Sequence, residues 1–154
     1  LHRHFSGFFE RLFDGGACRL TATYDVQGLP SGMLIEAQPP GKRTRDLALL
    51  SGGERALVAL ALLFAMLRVR PVPFCLLDEV EAALDEANTG RFGAILRELA
   101  ADTQFVVVTH NRGTMLHADC LYGVTMSETG VSSIYGIHLT RDDAGQITLE
   151  RSGA

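Results

Sequence analysis

Two groups of polar side chains each follow a short apolar run, and their residue types suit metal-dependent hydrolysis. Asp78 and Glu79 come directly after residues 74–77, while Thr109, His110 and Asn111 end or follow the run 105–108. A carboxylate can hold Mg²⁺, and a second carboxylate beside it can polarise an attacking water. Because the carboxyl ends of parallel strands meet at one sheet edge, we expect the two groups to lie close together.

An apolar strand that ends in Asp-Glu is the Walker B pattern. In this pattern the first carboxylate, here Asp78, holds Mg²⁺, usually through water, and the second, here Glu79, polarises the attacking water. Taken alone, the pair is equally typical of an ordinary polar strand end, so both interpretations stay open on these two residues.

A second candidate site is the segment Leu50-Ser51-Gly52-Gly53-Glu54, at the predicted start of a long helix. Ser51 is a natural N-cap, and Glu54, three residues later, completes a capping box. The two glycines each cost about 1 kcal/mol of helix propensity relative to Ala. Their presence is explained if an anion must approach the backbone N–H groups closely. A plain helix cap is the alternative, and Ser-x-x-Glu alone favours it, but the full string is far rarer than a capping box.

The elements that must position these residues follow from the spacing of apolar side chains. We predict helices over 1–13, 51–68, 86–100 and 113–118, and strands over 18–24, 33–37, 74–77, 105–109, 121–126 and 132–139. The strands 74–77 and 105–109 are apolar on both faces and joined through a helix, which predicts a parallel sheet covered on both sides. The predicted fold class is α/β, a mainly parallel sheet flanked by helices, with a few antiparallel strands at the start and end.

The first predicted helix carries aromatic residues at helical spacing. Phe5, Phe8, Phe9 and Phe13 recur there together with Leu12. A helix that packs one face on the rest of the domain is favoured over a surface on which nucleic-acid bases stack.

Composition excludes several classes of protein. The chain has 154 residues, 47% of them hydrophobic, which suffices for one domain with a core, and its net charge of −4 excludes a basic protein that coats DNA. Its three cysteines lie far apart, which excludes a disulfide framework or a zinc ribbon. The longest uncharged apolar run, 56–67, is shorter than the roughly 20 residues of a membrane span, and no secretory signal is visible. Since the first residue is Leu1 rather than Met, we expect a piece of a longer protein. The scattered cysteines and the lack of a signal lead us to expect that it is intracellular.

The motifs occur in an order that resembles ABC-type ATPases. Residues 50–54 resemble the signature motif, 76–79 the Walker B motif, 83–85 the D-loop, and His110 the switch histidine. Within that superfamily the chain is most similar to the C-terminal lobe of the head of bacterial SMC (structural maintenance of chromosomes) ATPases. The strings that carry this similarity are AQPPGK (37–42), FCLLDEVEAALD (74–85), THNRGTM (109–115) and ADCLYGVTM (118–126). The resemblance covers about residues 1–140, and Glu81 stands where many relatives have Asp.

One expected motif has no counterpart in the sequence. No G-x-x-x-x-G-K-[ST] phosphate loop occurs, and the nearest pair, Gly41-Lys42, is followed by Arg43 instead of Ser or Thr. In SMC proteins this loop belongs to the N-terminal lobe. The resemblance therefore implies the C-terminal half of a P-loop NTPase-like head: 1–14 the end of a returning coiled-coil helix, 15–140 the lobe and 141–154 a tail. By itself such a lobe is not expected to hydrolyse ATP.

The resemblance also implies roles for individual residues. Two heads sandwich two ATP molecules, and each ATP lies on the phosphate loop of one head and is covered by the signature motif of the other. Asp78 would hold Mg²⁺, Glu79 would deprotonate water, and His110 would contact the γ-phosphate. The implied nucleotide-binding residues are Leu50, Ser51, Gly52, Gly53, Glu54 and Asp85, of which Asp85 would couple the two sites.

The partners implied are the N-terminal lobe of the same head, a second SMC head, the C-terminal winged-helix domain of a kleisin, and DNA through the assembled complex. No membrane partner is expected, and the implied location is the cytoplasm, associated with the nucleoid. Three alternatives stay open: a head lobe of another coiled-coil ABC-type ATPase in recombination or repair, a transporter's nucleotide-binding domain, and a degenerate lobe that acts only as a binding platform.

Overall fold

The computed structural model describes residues 1–43, 45–141 and 147–151. In chain order the elements are α1 (His2–Phe13), β1 (Ala17–Tyr24), β2 (Pro30–Gln38), β3 (Arg45–Asp46), a 3₁₀ turn (Leu47–Leu49), α2 (Gly52–Val69), β4 (Phe74–Asp78), α3 (Glu86–Leu99), β5 (Gln104–Val108), α4 (Arg112–Met115), β6 (Cys120–Glu128), β7 (Val131–Arg141) and β8 (Ile147–Arg151). Every predicted helix and strand is present with shifted ends, whereas β3, the 3₁₀ turn and β8 are not among the predicted elements.

The strands form three small sheets rather than one. β1, β2 and β3 make an antiparallel sheet, β4 and β5 a parallel pair, and β6, β7 and β8 a second antiparallel sheet. The expectation of a mainly parallel sheet is therefore wrong for the described part of the chain. The reason is connectivity: a short loop returns the chain antiparallel to the strand before it, and among the described strands only β4 and β5 are paired across an intervening helix, α3.

The core lies where α1 packs on α2 and α3. Phe5, Phe9 and Leu12 of α1 are fully buried, together with Phe64 of α2 and Phe92 of α3. The ring of Phe64 stacks on that of Phe92 with centroids 5.9 Å apart. The aromatic residues of the first helix thus build the core, and those that are fully buried offer no surface on which nucleic-acid bases could stack.

The parallel pair is covered on one face. Cys75, Leu77, Phe105 and Val107 pack against the core. The opposite face is exposed, and its side chains retain about half or more of their accessible surface: Phe74 65%, Leu76 61%, Val106 48% and Val108 50%. The expectation of a sheet covered on both sides is therefore wrong for the described residues, because no described element packs over this face.

The last strand lies in the segment that the sequence assigns to a tail. β8 pairs antiparallel with β7, with Leu149 opposite Leu139. Residues 142–146 and 152–154 of the predicted tail lie outside the described residues, and the boundaries at 14 and 140 stay predictions. Within the described residues, no helix is long and apolar enough to cross a membrane.

Candidate functional site

The carboxyl edge of the parallel pair brings the first group of predicted residues together. Asp78, the last residue of β4, lies opposite Val108 of β5, and the backbone N–H of Glu79 donates to the Val108 carbonyl at 2.9 Å. Both strands therefore end at the same level. Nδ1 of His110 lies 3.4 Å from Oε1 of Glu79. Both side chains are mostly exposed, so a substrate has access to this edge.

Glu79 has a backbone conformation that is uncommon for a residue with a side chain. Its φ of 47° lies in the left-handed region. Such a conformation costs on the order of 1–3 kcal/mol in a non-glycine residue and persists only where neighbouring contacts enforce it. Here the N–H of Glu79 is bonded to Val108, and its carbonyl accepts from the N–H of Ala82 at 3.1 Å. Two hydrogen bonds thus hold the turn that presents the Glu79 carboxylate.

A partly buried hydrogen-bond chain links this turn to the loop that carries His110. The Thr109 hydroxyl donates to Oε1 of Glu81, whose side chain is buried. The same hydroxyl oxygen accepts from the backbone N–H of Asn111 at 2.9 Å. Oδ1 of Asn111 in turn caps α4 by accepting from the Gly113 N–H at 2.8 Å. From the sequence alone, Glu81 has no predicted role and is noted only because many relatives have Asp at this position. The signal that could have identified it is an acidic residue between the Walker B motif and the D-loop.

A small cleft of about 60 Å³ opens between these two loops. It is lined by Glu79, Glu81, Ala82, Leu84, His110 and Asn111. A space of this size, bordered by carboxylate and imidazole groups, can hold water molecules. Water can therefore reach the Glu79 carboxylate from within the cleft.

The second group of predicted residues forms the capped start of α2. Ser51 is the N-cap, with φ −64° and ψ 165°, and its hydroxyl oxygen accepts from the Glu54 N–H at 3.3 Å. The Ser51 N–H donates to Oε2 of Glu54 at 2.9 Å, which completes the predicted capping box. The cap uses a lone pair of the hydroxyl oxygen, and the Ser51 side chain also hydrogen-bonds to the Glu54 carboxylate, so its O–H would have to turn away from Glu54 to donate to a ligand.

A positive charge stands beside this helix start. Nζ of Lys42 lies 2.8 Å from Oε1 of Glu54. The hydrogen bond from Lys42, together with the one from the Ser51 N–H, lowers the pKa of Glu54 from its ordinary 4.5 to about 2. Glu54 therefore stays ionised, and Lys42 adds a cation near the exposed donors of the helix. From the sequence, Lys42 is considered only as part of a phosphate loop. Lys42 and Glu54 are 12 residues apart, so no local pattern predicts their ion pair.

The two glycines at the start of α2, Gly52 and Gly53, have different surroundings. A Cβ on Gly53 would lie 2.9 Å from the Ala83 carbonyl oxygen, so the helix start packs directly on the segment after β4. A Cβ on Gly52 would meet nothing within 4 Å. Close packing on Ala83 gives Gly53 a reason within the chain itself, while approach of an anion to the backbone of either glycine stays a prediction. Of these two glycines, only Gly52 would place an added Cβ in open space.

Leu50 and Asp85 serve the local structure. Leu50 is buried in the core, and its carbonyl accepts from Arg55 at 3.3 Å. Asp85 is the N-cap of α3, and its Oδ1 accepts from the Asn88 N–H at 2.8 Å. These contacts account for both residues within the chain itself.

A magnesium ion would fit this arrangement through the Asp78 carboxylate, with water and phosphate oxygens as its further ligands. Among the described residues, no group of three or more His, Cys, Asp or Glu side chains could hold a metal ion. Mg²⁺ commonly takes one or two carboxylates and completes its octahedron with water and substrate phosphates. The exposed Asp78 at the end of β4 offers one such carboxylate.

The chain matches a family model and the chromosome partition protein Smc of several organisms. Residues 21–133 match the family model described as RecF/RecN/SMC N terminal domain. The chain is 58% identical to the chromosome partition protein Smc of Bacillus subtilis over 139 residues, which cover 90% of this chain and 12% of that protein. It therefore spans a small part of the relatives' length.

Two solved structures have the same fold. The Smc head domain of Pyrococcus furiosus with an extended coiled coil, bound to the C-terminal domain of ScpA, gives a TM-score of 0.83 at 39% identity, covering 89% of this chain and 34% of that chain. A structure from work on ATP-driven dimerization and DNA stimulated activation of SMC ATPases gives 0.78 at 38% identity, covering 88% and 81%.

These matches confirm the resemblance to SMC heads, while the assignment to the C-terminal lobe stays a prediction. The region shared with the Bacillus subtilis protein covers most of the chain, including both groups of site residues. Because the family model matches most of its length, the chain belongs to the RecF/RecN/SMC family and corresponds to part of the ATPase head of Smc chromosome partition proteins.

Proposed function

We propose that this chain is the C-terminal lobe of an Smc head, which with its N-terminal lobe and a second head binds and hydrolyses ATP in chromosome partition. The observation that carries the proposal is that one short chain combines two features. These are the exposed start of α2, which Ser51 caps, and the edge of the parallel pair, where Glu79 lies beside His110. A phosphate loop is not part of the sequence. The chemistry therefore has to be completed by another polypeptide segment.

The start of α2 is suited to receive phosphate oxygens from outside. The first N–H groups of a helix have no partner within it, and the helix dipole makes this end attractive to anions. The Ser51 hydroxyl and the N–H groups of Gly52 and Gly53 would donate to the γ-phosphate of ATP held on the other head. Lys42 would add a positive charge nearby.

The edge of the parallel pair supplies the groups for hydrolysis. Asp78 would hold Mg²⁺ through water, and bound Mg²⁺ would neutralise charge on the phosphates. Glu79 would orient a water and accept its proton, and His110 would contact the γ-phosphate. Asp85 would couple the two nucleotide sites across the interface between heads.

The partners of the whole protein follow from its relatives. The Pyrococcus furiosus head is bound to the C-terminal domain of ScpA. We expect this chain to take part in the same kind of contact with the C-terminal winged-helix domain of a kleisin, and DNA to bind the assembled complex in the cytoplasm, at the nucleoid. The Bacillus subtilis relative acts, by its name, in chromosome partition, which favours this function over recombination or repair and over transport.

The test is ATP-dependent dimerisation of a complete head made from this chain and the N-terminal lobe. With Glu79→Gln, which should trap ATP, light scattering is expected to show a monomer without ATP and a dimer with ATP and Mg²⁺. Adding Ser51→Arg should abolish the dimer while ATP still binds. Ser31→Arg, which places the same side chain on the exposed strand β2, is the matched control and should leave the dimer intact. A head that binds ATP but stays monomeric would contradict the proposal and favour a binding platform.

A further inference from the structure

We propose that Glu81 is a positioning residue that holds His110 opposite Glu79 through the hydroxyl of Thr109. This inference rests on the proposed hydrolysis at the edge of the parallel pair. It assigns a role to a buried side chain whose hydrogen bond to Thr109 leads to the loop that carries His110.

Little packing fixes the side chains that would act on water. The His110 side chain is 78% exposed and that of Glu79 is 55% exposed, and the distance between their nearest atoms is 3.4 Å. An exposed pair at this distance contributes little to its own geometry, because both side chains can rotate into solvent. The geometry of the pair therefore depends on how firmly the two backbone segments are joined.

The residues on both sides of His110 are bound into one hydrogen-bond chain. The Asn111 N–H donates to the Thr109 hydroxyl oxygen at 2.9 Å, and the Thr109 hydroxyl donates to Glu81. Because Thr109 and Asn111 flank His110, the chain fixes the backbone from which the imidazole projects. Its acceptor at the far end is a single carboxylate.

The same carboxylate belongs to the turn that presents Glu79. Glu81 lies two residues after Glu79, and its carbonyl accepts from the Leu84 N–H at 2.9 Å. The turn is thus closed on its own backbone while its buried side chain holds the neighbouring loop. A displacement of either segment would be transmitted to the other through Glu81.

Stability alone gives a poor reason for a carboxylate at this position. Glu81 retains 3% of its accessible surface, and within the described residues its Oε2 is buried with no hydrogen-bond partner. An unpartnered buried carboxylate oxygen is unfavourable for folding. A buried group that costs free energy while aligning two exposed catalytic residues is typical of a functional site.

The experiment measures ATP turnover of the complete head in a double-mutant cycle. Since Glu81→Ala can also impair folding, Thr109→Val is the main variant, because it removes the hydroxyl and keeps the shape. We expect Thr109→Val to lower kcat about tenfold with an unchanged KM for ATP, since misplacement of a catalytic group costs rate rather than binding. Thr109→Ser keeps the hydroxyl and should restore turnover. Thr103→Val, at a buried threonine outside this hydrogen-bond chain, is the matched control and should leave kcat unchanged.

The decisive comparison is made in a His110→Ala background. If Glu81 and Thr109 act through His110, Thr109→Val should lower kcat no further once the imidazole is gone. If the effects of the two substitutions on kcat instead multiply, the role of Thr109 is only structural. The inference is then overturned, while the proposed function stands. If His110→Ala turns over ATP like the unaltered head, the proposed role of His110 fails, and the inference fails with it.

Discussion

Nδ1 of His110 lies 3.4 Å from Oε1 of Glu79, although 31 residues separate them along the chain. Their proximity follows from the register of β4 and β5, which pairs Asp78 with Val108 and so ends both strands at one level. Only a parallel pair places the carboxyl ends of both strands at the same edge. The proximity of Glu79 and His110 therefore depends on the parallel pairing of β4 with β5.

The first prediction concerns the proposed general base. Glu79→Gln in the complete head is expected to slow ATP hydrolysis by roughly 10²–10⁴-fold, because an amide cannot accept the proton of the attacking water. ATP binding should stay intact, since the proposed phosphate donors lie on α2. Single-turnover hydrolysis and nucleotide binding are measured in parallel. Unchanged turnover would remove Glu79 from this role.

The second prediction separates the two glycines of α2. Gly53→Ala is expected to lower the free energy of unfolding, because the added methyl group would press on the Ala83 carbonyl. Gly52→Ala is the matched control, and its methyl group meets open space. It should leave stability unchanged or slightly higher, since Ala favours helix over Gly. Urea denaturation of the complete head tests the pair, and equal effects of the two substitutions would contradict the packing argument.

Gly52→Ala carries a further expectation for binding. If phosphate approaches the backbone at this position, the methyl group should weaken ATP-dependent dimerisation while the fold is retained. Light scattering at increasing ATP concentration measures the effect. Dimerisation as strong as that of the unaltered head would show that phosphate does not approach the backbone at Gly52.

The third prediction concerns pH. The pKa of Glu54 is lowered from 4.5 to about 2, so its ion pair stabilises the folded state above about pH 4.5 and this contribution is lost as the pH falls toward 2. Lys42→Ala should raise the pKa of Glu54 toward its ordinary value and reduce that contribution. The unfolding free energies of the two proteins should therefore differ near neutral pH and converge in acid.

The control for this experiment is Arg43→Ala, which removes a neighbouring exposed positive charge. We expect it to leave the pH dependence close to that of the unaltered head, because the ion pair with Glu54 is made by Lys42. Urea denaturation at several pH values from about 6 downward compares the three proteins. A shift of equal size for Arg43→Ala would indicate general charge effects instead of this pair.

The fourth prediction separates two roles of Asp85. Asp85→Ala removes the N-cap of α3 and is expected to cost on the order of 1 kcal/mol of stability. Asp85→Ser keeps a capping oxygen and should preserve stability. If Asp85 also couples the two nucleotide sites, Asp85→Ser should still reduce ATP turnover of the dimer. Normal turnover in Asp85→Ser would leave Asp85 with its capping role alone.

Features set by local sequence patterns were predictable. The apolar runs and caps located α2, β4, α3 and β5, and the capping box of Ser51 and Glu54 follows from their spacing of three residues. The direction in which strands pair was not predictable, because pairing depends on partners that are distant in sequence. The expectation of a mainly parallel sheet assumed that the other strands pair as β4 and β5 do, although those strands are joined by short loops.

The contacts that no pattern indicates are those between distant side chains. Lys42 reaches Glu54 across a loop, and Glu81 reaches Thr109 across 28 residues. Gly53 lies against Ala83 for the same reason. Such contacts arise from the packing of elements, and a single sequence contains no periodic signal for them.

The open face of β4 and β5 has a consequence for how the protein is made. Phe74, Leu76 and Val106 form part of an apolar surface on a strand pair with unpaired edges among the described residues, and such surfaces recruit other chains during synthesis. If this chain is the C-terminal lobe proposed above, its yield and solubility should depend on whether the N-terminal lobe is present. Expression of the two lobes together should then reduce aggregation.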